Sequence, residues 1–189
     1  MNKIEKQASL DKLKKTIIDE KVCPELADSA TQLVFGEGDP SSDIVFIGEA
    51  PGKKEDETGK PFIGASGKFL NDLLEKINLD RSSIYITNIV KYRPQDNRDP
   101  TKLEKQAFLP YLMSQIEIIA PKLVITLGRH SMDCFLPKRK ISEVHGQPEK
   151  IDGITYLPLY HPAAALYNGS MKQTLIDDFL KIPKLLQEI

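Results

Sequence analysis

The chain has no tryptophan, only two cysteines and no excess of either charge: 26 Lys and Arg stand against 27 Asp and Glu over 189 residues. Each shortage excludes something. Two thiols, Cys23 and Cys134, cannot make a disulfide framework or a four-thiolate metal site, which suits a reducing, intracellular setting. A net charge of -1 excludes a generally basic, histone-like binder, although a local cluster of Lys and Arg could still meet phosphates. No apolar run approaches the roughly 18 residues of a membrane span. The opening Met-Asn-Lys-Ile-Glu-Lys-Gln also lacks a signal peptide's apolar core. The expectation is a cytoplasmic protein with no membrane partner. A chain this long buries about 70% of its unfolded surface, so its core needs neither disulfide nor metal.

What is present is a regular alternation. Leu10, Leu13, Ile17 and Ile18 stand at helical spacing among lysines up to Glu20, which reads as an amphipathic helix. Four short continuous apolar runs follow, at 43–48, 83–87, 122–128 and 154–159. Such runs belong to strands buried on both faces. Between and after them come helical patterns at 67–77 and 101–119, a shorter piece after Arg129, and a last helix over 171–186. Strands alternating with helices of this length predict βαβ units. The predicted fold is α/β, a three-layer α/β/α sandwich around a four-stranded parallel sheet. No repeat or linker divides the chain, so residues 1–189 are expected to form one domain.

In parallel sheets the working groups gather at the carboxyl ends of the strands. Here those ends are Gly48-Glu49-Ala50-Pro51-Gly52, Thr87-Asn88-Ile89-Val90-Lys91, Gly128-Arg129-His130 and Tyr160-His161-Pro162. A Glu, an Asn and a His are thereby expected on one rim. Familiar motifs fail at the first of these. A phosphate loop needs four residues between its glycines and then Lys-Ser/Thr, but Gly48 and Gly52 are separated by three and Gly52 and Gly59 by six. Gly64-Ala-Ser66-Gly67 is one residue short of a nucleophile elbow, and Ser66 reads better as a helix cap. No dinucleotide fingerprint is present.

Three spaced segments carry more. Gly48-Glu-Ala-Pro-Gly-Lys-Lys-Glu-Asp-Glu-Thr-Gly-Lys-Pro-Phe-Ile-Gly64, then Thr87-Asn88-Ile-Val-Lys-Tyr-Arg-Pro94, then His161-Pro-Ala-Ala-Ala-Leu166 resemble the family 4 uracil-DNA glycosylases in order and spacing, over about residues 22–180. The resemblance implies a DNA repair enzyme that flips deoxyuridine out of single- or double-stranded DNA, hydrolyses its N-glycosidic bond and works as a monomer. It assigns Asn88 as the residue that reads the base: its amide can donate to uracil O4 and accept from N3–H, a pattern cytosine reverses. Phe62 would stack on the extruded base, with Ala50, Pro51 and Glu55 completing the pocket wall. His161 would donate to uracil O2 as charge develops on the leaving base. Glu49 would orient the attacking water and stabilise a cationic sugar. Leu166 and Tyr167 are the wedge candidates, and Lys91, Arg93 and Arg98 the candidates for the DNA backbone. The alternatives are a glycosylase of another base preference, such as hypoxanthine, or a degenerate uracil- or DNA-binding module.

The sequence also departs from that family. Its members carry a 4Fe-4S cluster on four cysteines, and the matching positions here are Glu20, Cys23, Tyr92 and Phe108. One thiolate cannot hold a cluster that wants four, so the expectation is no metal, no cofactor and an apolar plug of Tyr92 and Phe108. Where the family has a basic residue in the wedge loop, this chain has Ala165-Leu166-Tyr167.

Overall fold

Successive side chains of a strand point to opposite faces, so a strand apolar at every position feeds two cores. In the computed structural model, which describes residues 1–189, Val45 and Ile47 enter one core while Ile44 and Phe46 enter the other. The strands are β1 (Glu37–Gly38), β2 (Ile44–Gly48), β3 (Tyr85–Asn88), β4 (Leu123–Leu127), β5 (Glu149–Ile151) and β6 (Ile154–Leu159), in the order β1-β3-β2-β4-β6-β5. The four expected strands form the parallel centre, β3-β2-β4-β6. Helices Lys3–Asp19 and Lys102–Ile119 cover one face through Leu10, Ile17, Phe108, Leu112 and Ile116. Helices Ala65–Lys76 and Gly169–Phe179 cover the other through Phe69, Leu70, Leu73, Leu175 and Phe179. No helix is long and apolar enough to cross a membrane.

The sheet has six strands rather than four, because β1 and β5 add antiparallel edges. The second of these was readable. Asp152 and Gly153 both have positive φ, 49° and 88°, as a two-residue hairpin turn demands. Helix ends also differ from the periodic pattern. The first helix begins at Lys3, where Asn2 and Glu5 form a reciprocal capping box, a start signal independent of the apolar stripe. The last predicted helix is two, Gly169–Phe179 and Ile182–Glu188, since Pro183 lies in the first turn of the second and cannot continue the ladder of the first. Ser66 is not a cap. Gly64 holds that position without a side-chain bond, and Glu55 Oε1 instead accepts the backbone N–H groups of Ile63 and Gly64, at 2.9 and 2.7 Å.

Candidate active site

Parallel pairing brings the carboxyl ends of β2, β3, β4 and β6 to one rim, with Gly48 directly opposite Asn88. Against this rim lies a cleft of about 520 Å3. It gathers Glu49, Ala50, Pro51, Glu55, Phe62, Asn88, Arg98, His161, Leu166 and Tyr167. Of the residues expected there, Lys91 and Arg93 do not line it.

Asn88 is the last residue of β3 and is buried. Its Oδ1 has no hydrogen-bond partner within the protein, an arrangement that costs free energy unless a bound donor satisfies it. Phe62 sits beside it in the left-handed region, φ 51°, held there by its neighbours. Arg81 donates to the Pro61 carbonyl at 2.7 Å, Glu55 grips the next two amides, and Gly67 packs so closely that a Cβ would fall 1.9 Å from the Phe62 carbonyl oxygen. Glu55 is therefore a buried brace of the Phe62 loop as well as part of the wall.

His161 precedes Pro162 and opens the short helix Pro162–Leu166. Its Nδ1 accepts the Ala163 N–H at 3.1 Å. That bond fixes the tautomer, leaving Nε2 as the ring's donor. Burial pushes the imidazole pKa down to about 4, so at neutral pH the ring is uncharged and still a donor. Its ring centroid lies 5.7 Å from that of Phe62. Asn88, Phe62 and His161 thus present an amide, an aromatic ring and an N–H donor to one cleft.

Glu49 follows β2 and is three-quarters buried, with Oε1 lacking a hydrogen-bond partner. Burial first, then the Asp99 carboxylate, raise its pKa to about 7 against the opposing pull of Lys105 and Arg129. His130, on the helix Arg129–Asp133, places Nε2 3.5 Å from Glu49 Oε1 and 3.6 Å from Asp99 Oδ2. The sequence puts His130 on the rim without a role, because its partners come from three other segments. The three groups could face one ion, their ligand atoms lying within 4.8 Å of one another. However, Lys105 Nζ lies 3.1 Å from His130 Nδ1 and Arg129 Nε 3.3 Å from Nε2, and two cations there oppose a third.

The basic residues sort differently from expectation. Lys91 was expected to meet DNA phosphates, but it is fully buried. Its ammonium donates to Thr87 Oγ1 and the Asn88 carbonyl, both at 2.6 Å, and to Gln115 Oε1. Burial drives its pKa well below the ordinary lysine value. It braces the end of β3 from inside and cannot reach a phosphate. Arg93 is half-buried and donates to Asn97 Oδ1 at 2.7 Å. Arg98 reaches the cleft, but its guanidinium is held bidentately by Glu104 at 2.9 and 2.6 Å, which drops the Glu104 pKa to about 2. Lys53 and Lys54, exposed on the cleft wall, are the cations the sequence reading missed; their signal was position, immediately after the Gly52 loop.

The positions matching the family's cluster ligands do not fit an iron–sulfur group. Tyr92 and Phe108 are buried edge-to-face with centroids 6.0 Å apart. Glu20 accepts the Tyr111 hydroxyl, and burial raises the lone Cys23 thiol above its usual pKa. These four positions supply one thiolate, and two of them are aromatic, whereas such a cluster needs four thiolates.

Comparison with known proteins agrees with this geometry. The family model described as the uracil DNA glycosylase superfamily matches residues 35–182. A type-4 uracil-DNA glycosylase of Sulfurisphaera tokodaii is 45% identical over 187 residues, 94% of this chain and 84% of that protein. One of Saccharolobus solfataricus is 47% identical over 163 residues, 81% of this chain and 76% of that protein. One of Archaeoglobus fulgidus is 38% identical over 186 residues, 94% and 93% of the two chains.

Proposed function

The chain belongs to the uracil DNA glycosylase superfamily, and from that premise we propose that it is a monofunctional glycosylase that releases uracil from DNA and leaves an abasic site. The observation that carries this reading is the buried, unpartnered Asn88 Oδ1 beside the Phe62 ring. An amide so placed discriminates strongly, because a base with the wrong edge leaves it mispaired in a desolvated site.

The chemistry follows from the side chains. A nucleotide extruded from the stack slides its base between Phe62 and the rim, where Asn88 Nδ2 donates to O4 and Oδ1 accepts N3–H. As the C1′–N1 bond lengthens, its electrons move into the base and charge collects on O2. The neutral His161 Nε2–H meets that charge; one preorganised donor of this kind contributes about 2.7–4 kcal/mol. Ionised Glu49 stabilises the cationic sugar and accepts a proton from the water that adds to C1′. Leu166 and Tyr167, exposed on the lip, fill the gap left in the stack. Lys53 and Lys54 meet the phosphates.

No step needs a metal or organic cofactor, and the buried Tyr92–Phe108 pair supports an apolar plug in place of a cluster. The protein acts as a monomer on uracil in single- or double-stranded DNA, the former being easier because less pairing is lost. The test is alkaline cleavage of a labelled oligonucleotide after incubation with purified, metal-free protein. Strand scission at a single uracil is expected, with none at cytosine, thymine or hypoxanthine in the same context. DNA retention without scission would replace the enzyme by a binding module.

A further inference from the structure

The peptide that joins Asn88 to Ile89 is pinned at both ends. Its N–H, on Ile89, donates to the Gly48 carbonyl at 3.0 Å. Its carbonyl, on Asn88, accepts from Lys91 Nζ at 2.6 Å. The first bond ties Asn88 to β2, and the second ties it to the interior. The same nitrogen donates to Thr87 Oγ1 at 2.6 Å, so the buried Lys91 grips the two residues that end β3.

Gln115 fixes where that nitrogen sits. It stands on helix Lys102–Ile119 and is itself buried. A carbonyl only accepts, and Gln115 Nε2 donates to the Phe35 carbonyl at 3.0 Å; Oε1 must therefore turn the other way, where it accepts from Lys91. Hydrogen bonds thus run from Phe35 through Gln115 and Lys91 to the Asn88 carbonyl, with no carboxylate among them. Burial holds the Lys91 pKa well below the ordinary lysine value. The connection needs only N–H groups, and the amine carries them charged or neutral.

On its other side Asn88 lines the cleft, with Oδ1 unpartnered. Before a base arrives, the aim of that amide is set by where the backbone places it. A recognition group has to be held within about 0.5 Å of its working position by the residues behind it. We propose that Lys91 is a positioning residue for base recognition: through the Asn88 carbonyl, with Gln115 behind it, it holds the Asn88 amide at the uracil edge. The inference rests on the glycosylase reading and adds to it two buried residues that never touch substrate.

The experiment compares the unaltered chain with Lys91→Met, Lys91→Gln and Gln115→Met, at a temperature where circular dichroism shows each to be folded. Two DNA probes are used. One carries 2′-fluoro-2′-deoxyuridine, whose fluorine disfavours a cationic sugar and keeps the base in place; the other carries a tetrahydrofuran abasic site, which offers Asn88 nothing to read. Lys91→Met should bind the fluorinated probe about tenfold more weakly and release uracil from ordinary substrate about tenfold more slowly at saturating protein. Its affinity for the tetrahydrofuran probe should be unchanged. Lys91→Gln, as long as the Met variant but with an N–H, should recover part of both losses. Gln115→Met should show the same pattern more weakly, and it carries the test if Lys91→Met does not fold. Equal weakening on the two probes would make Lys91 a residue of the fold alone and overturn this inference, as would parental behaviour on both. An inactive unaltered protein would overturn the glycosylase reading, and this inference with it.

Discussion

Asn88 and Phe62 meet across the absent side chain of Gly48. A Cβ at that position would fall 2.3 Å from Asn88 Oδ1 and 2.5 Å from Phe62 Cζ, so the pocket's floor has its shape because β2 ends in glycine. Pairing register puts Gly48 opposite Asn88, and the left-handed Phe62 backbone brings the ring down onto the same spot.

Gly48→Ala should therefore disable the pocket with modest harm to the fold. Neither neighbour is a flexible chain end: one is a buried amide, the other a ring pinned from behind. Overpacking of this type costs about 1–3 kcal/mol of stability, and displacing the Asn88 amide by about 1 Å should lower uracil release about a hundredfold. Thermal unfolding and single-turnover rates, measured together, check both halves.

His161→Ala should reduce the single-turnover rate about a hundredfold to a thousandfold while changing affinity for uracil-containing DNA little, because charge on O2 exists mainly in the transition state. A collapse of affinity at an unchanged saturated rate would make His161 a binding residue. The group also has a stability signature. Its folded pKa of about 4 lies below the ordinary value near 6.5, so the folded protein binds fewer protons. Stability is lost as pH falls from about 6.5 toward 4, and the variant should lose less over that window.

Lys91 and Lys53 should behave oppositely. Lys91→Met removes the buried donor to the Asn88 carbonyl, Thr87 Oγ1 and Gln115 Oε1, so a loss of about 2–4 kcal/mol in unfolding free energy is expected, with the salt dependence of DNA binding unchanged. Lys53→Ala or Lys54→Ala should leave stability within about 0.5 kcal/mol. Each should also lower the slope of log affinity against log salt by about one. Denaturant melts and binding titrations over a salt series distinguish the two sites.

Purified protein should be colourless and iron-free, because the four matching positions offer a single thiolate, Cys23. Tyr92→Ala should instead cost about 3–5 kcal/mol, as for other buried aromatic truncations. Elemental analysis and an anaerobic visible spectrum give the first result, and denaturant unfolding the second. Near-stoichiometric iron would contradict this prediction.

The central sheet was legible because burial on both faces leaves a local mark, an apolar run without alternation. The edges left little: β1 is two residues long, and β5 reads Glu-Lys-Ile, signalled only by the Asp152-Gly153 turn. Asn88, Phe62 and His161 were legible through spaced motifs, and the sheet explains why they converge. Lys91 misled because its charge looked like surface, although it follows Ile89 and Val90, both fully buried. His130 was marked only by its place at the end of a strand. Its meaning depends on Glu49, Asp99 and Lys105, which only the folded chain brings together.

The account stands or falls on whether Asn88 reads the base, and Asn88→Asp asks this at nearly constant shape. An ionised aspartate can only accept, so it meets uracil O4 with an acceptor against an acceptor, while cytosine offers an N4 donor to the same oxygen. The measurement is single-turnover base release by the parental and Asn88→Asp proteins on matched oligonucleotides bearing uracil or cytosine at one site. The predicted result is a loss of uracil release on the order of several kcal/mol, with weak cytosine release that grows at lower pH. Uracil release by the aspartate variant at the parental rate would contradict the account, because Asn88 would then not be in contact with the base.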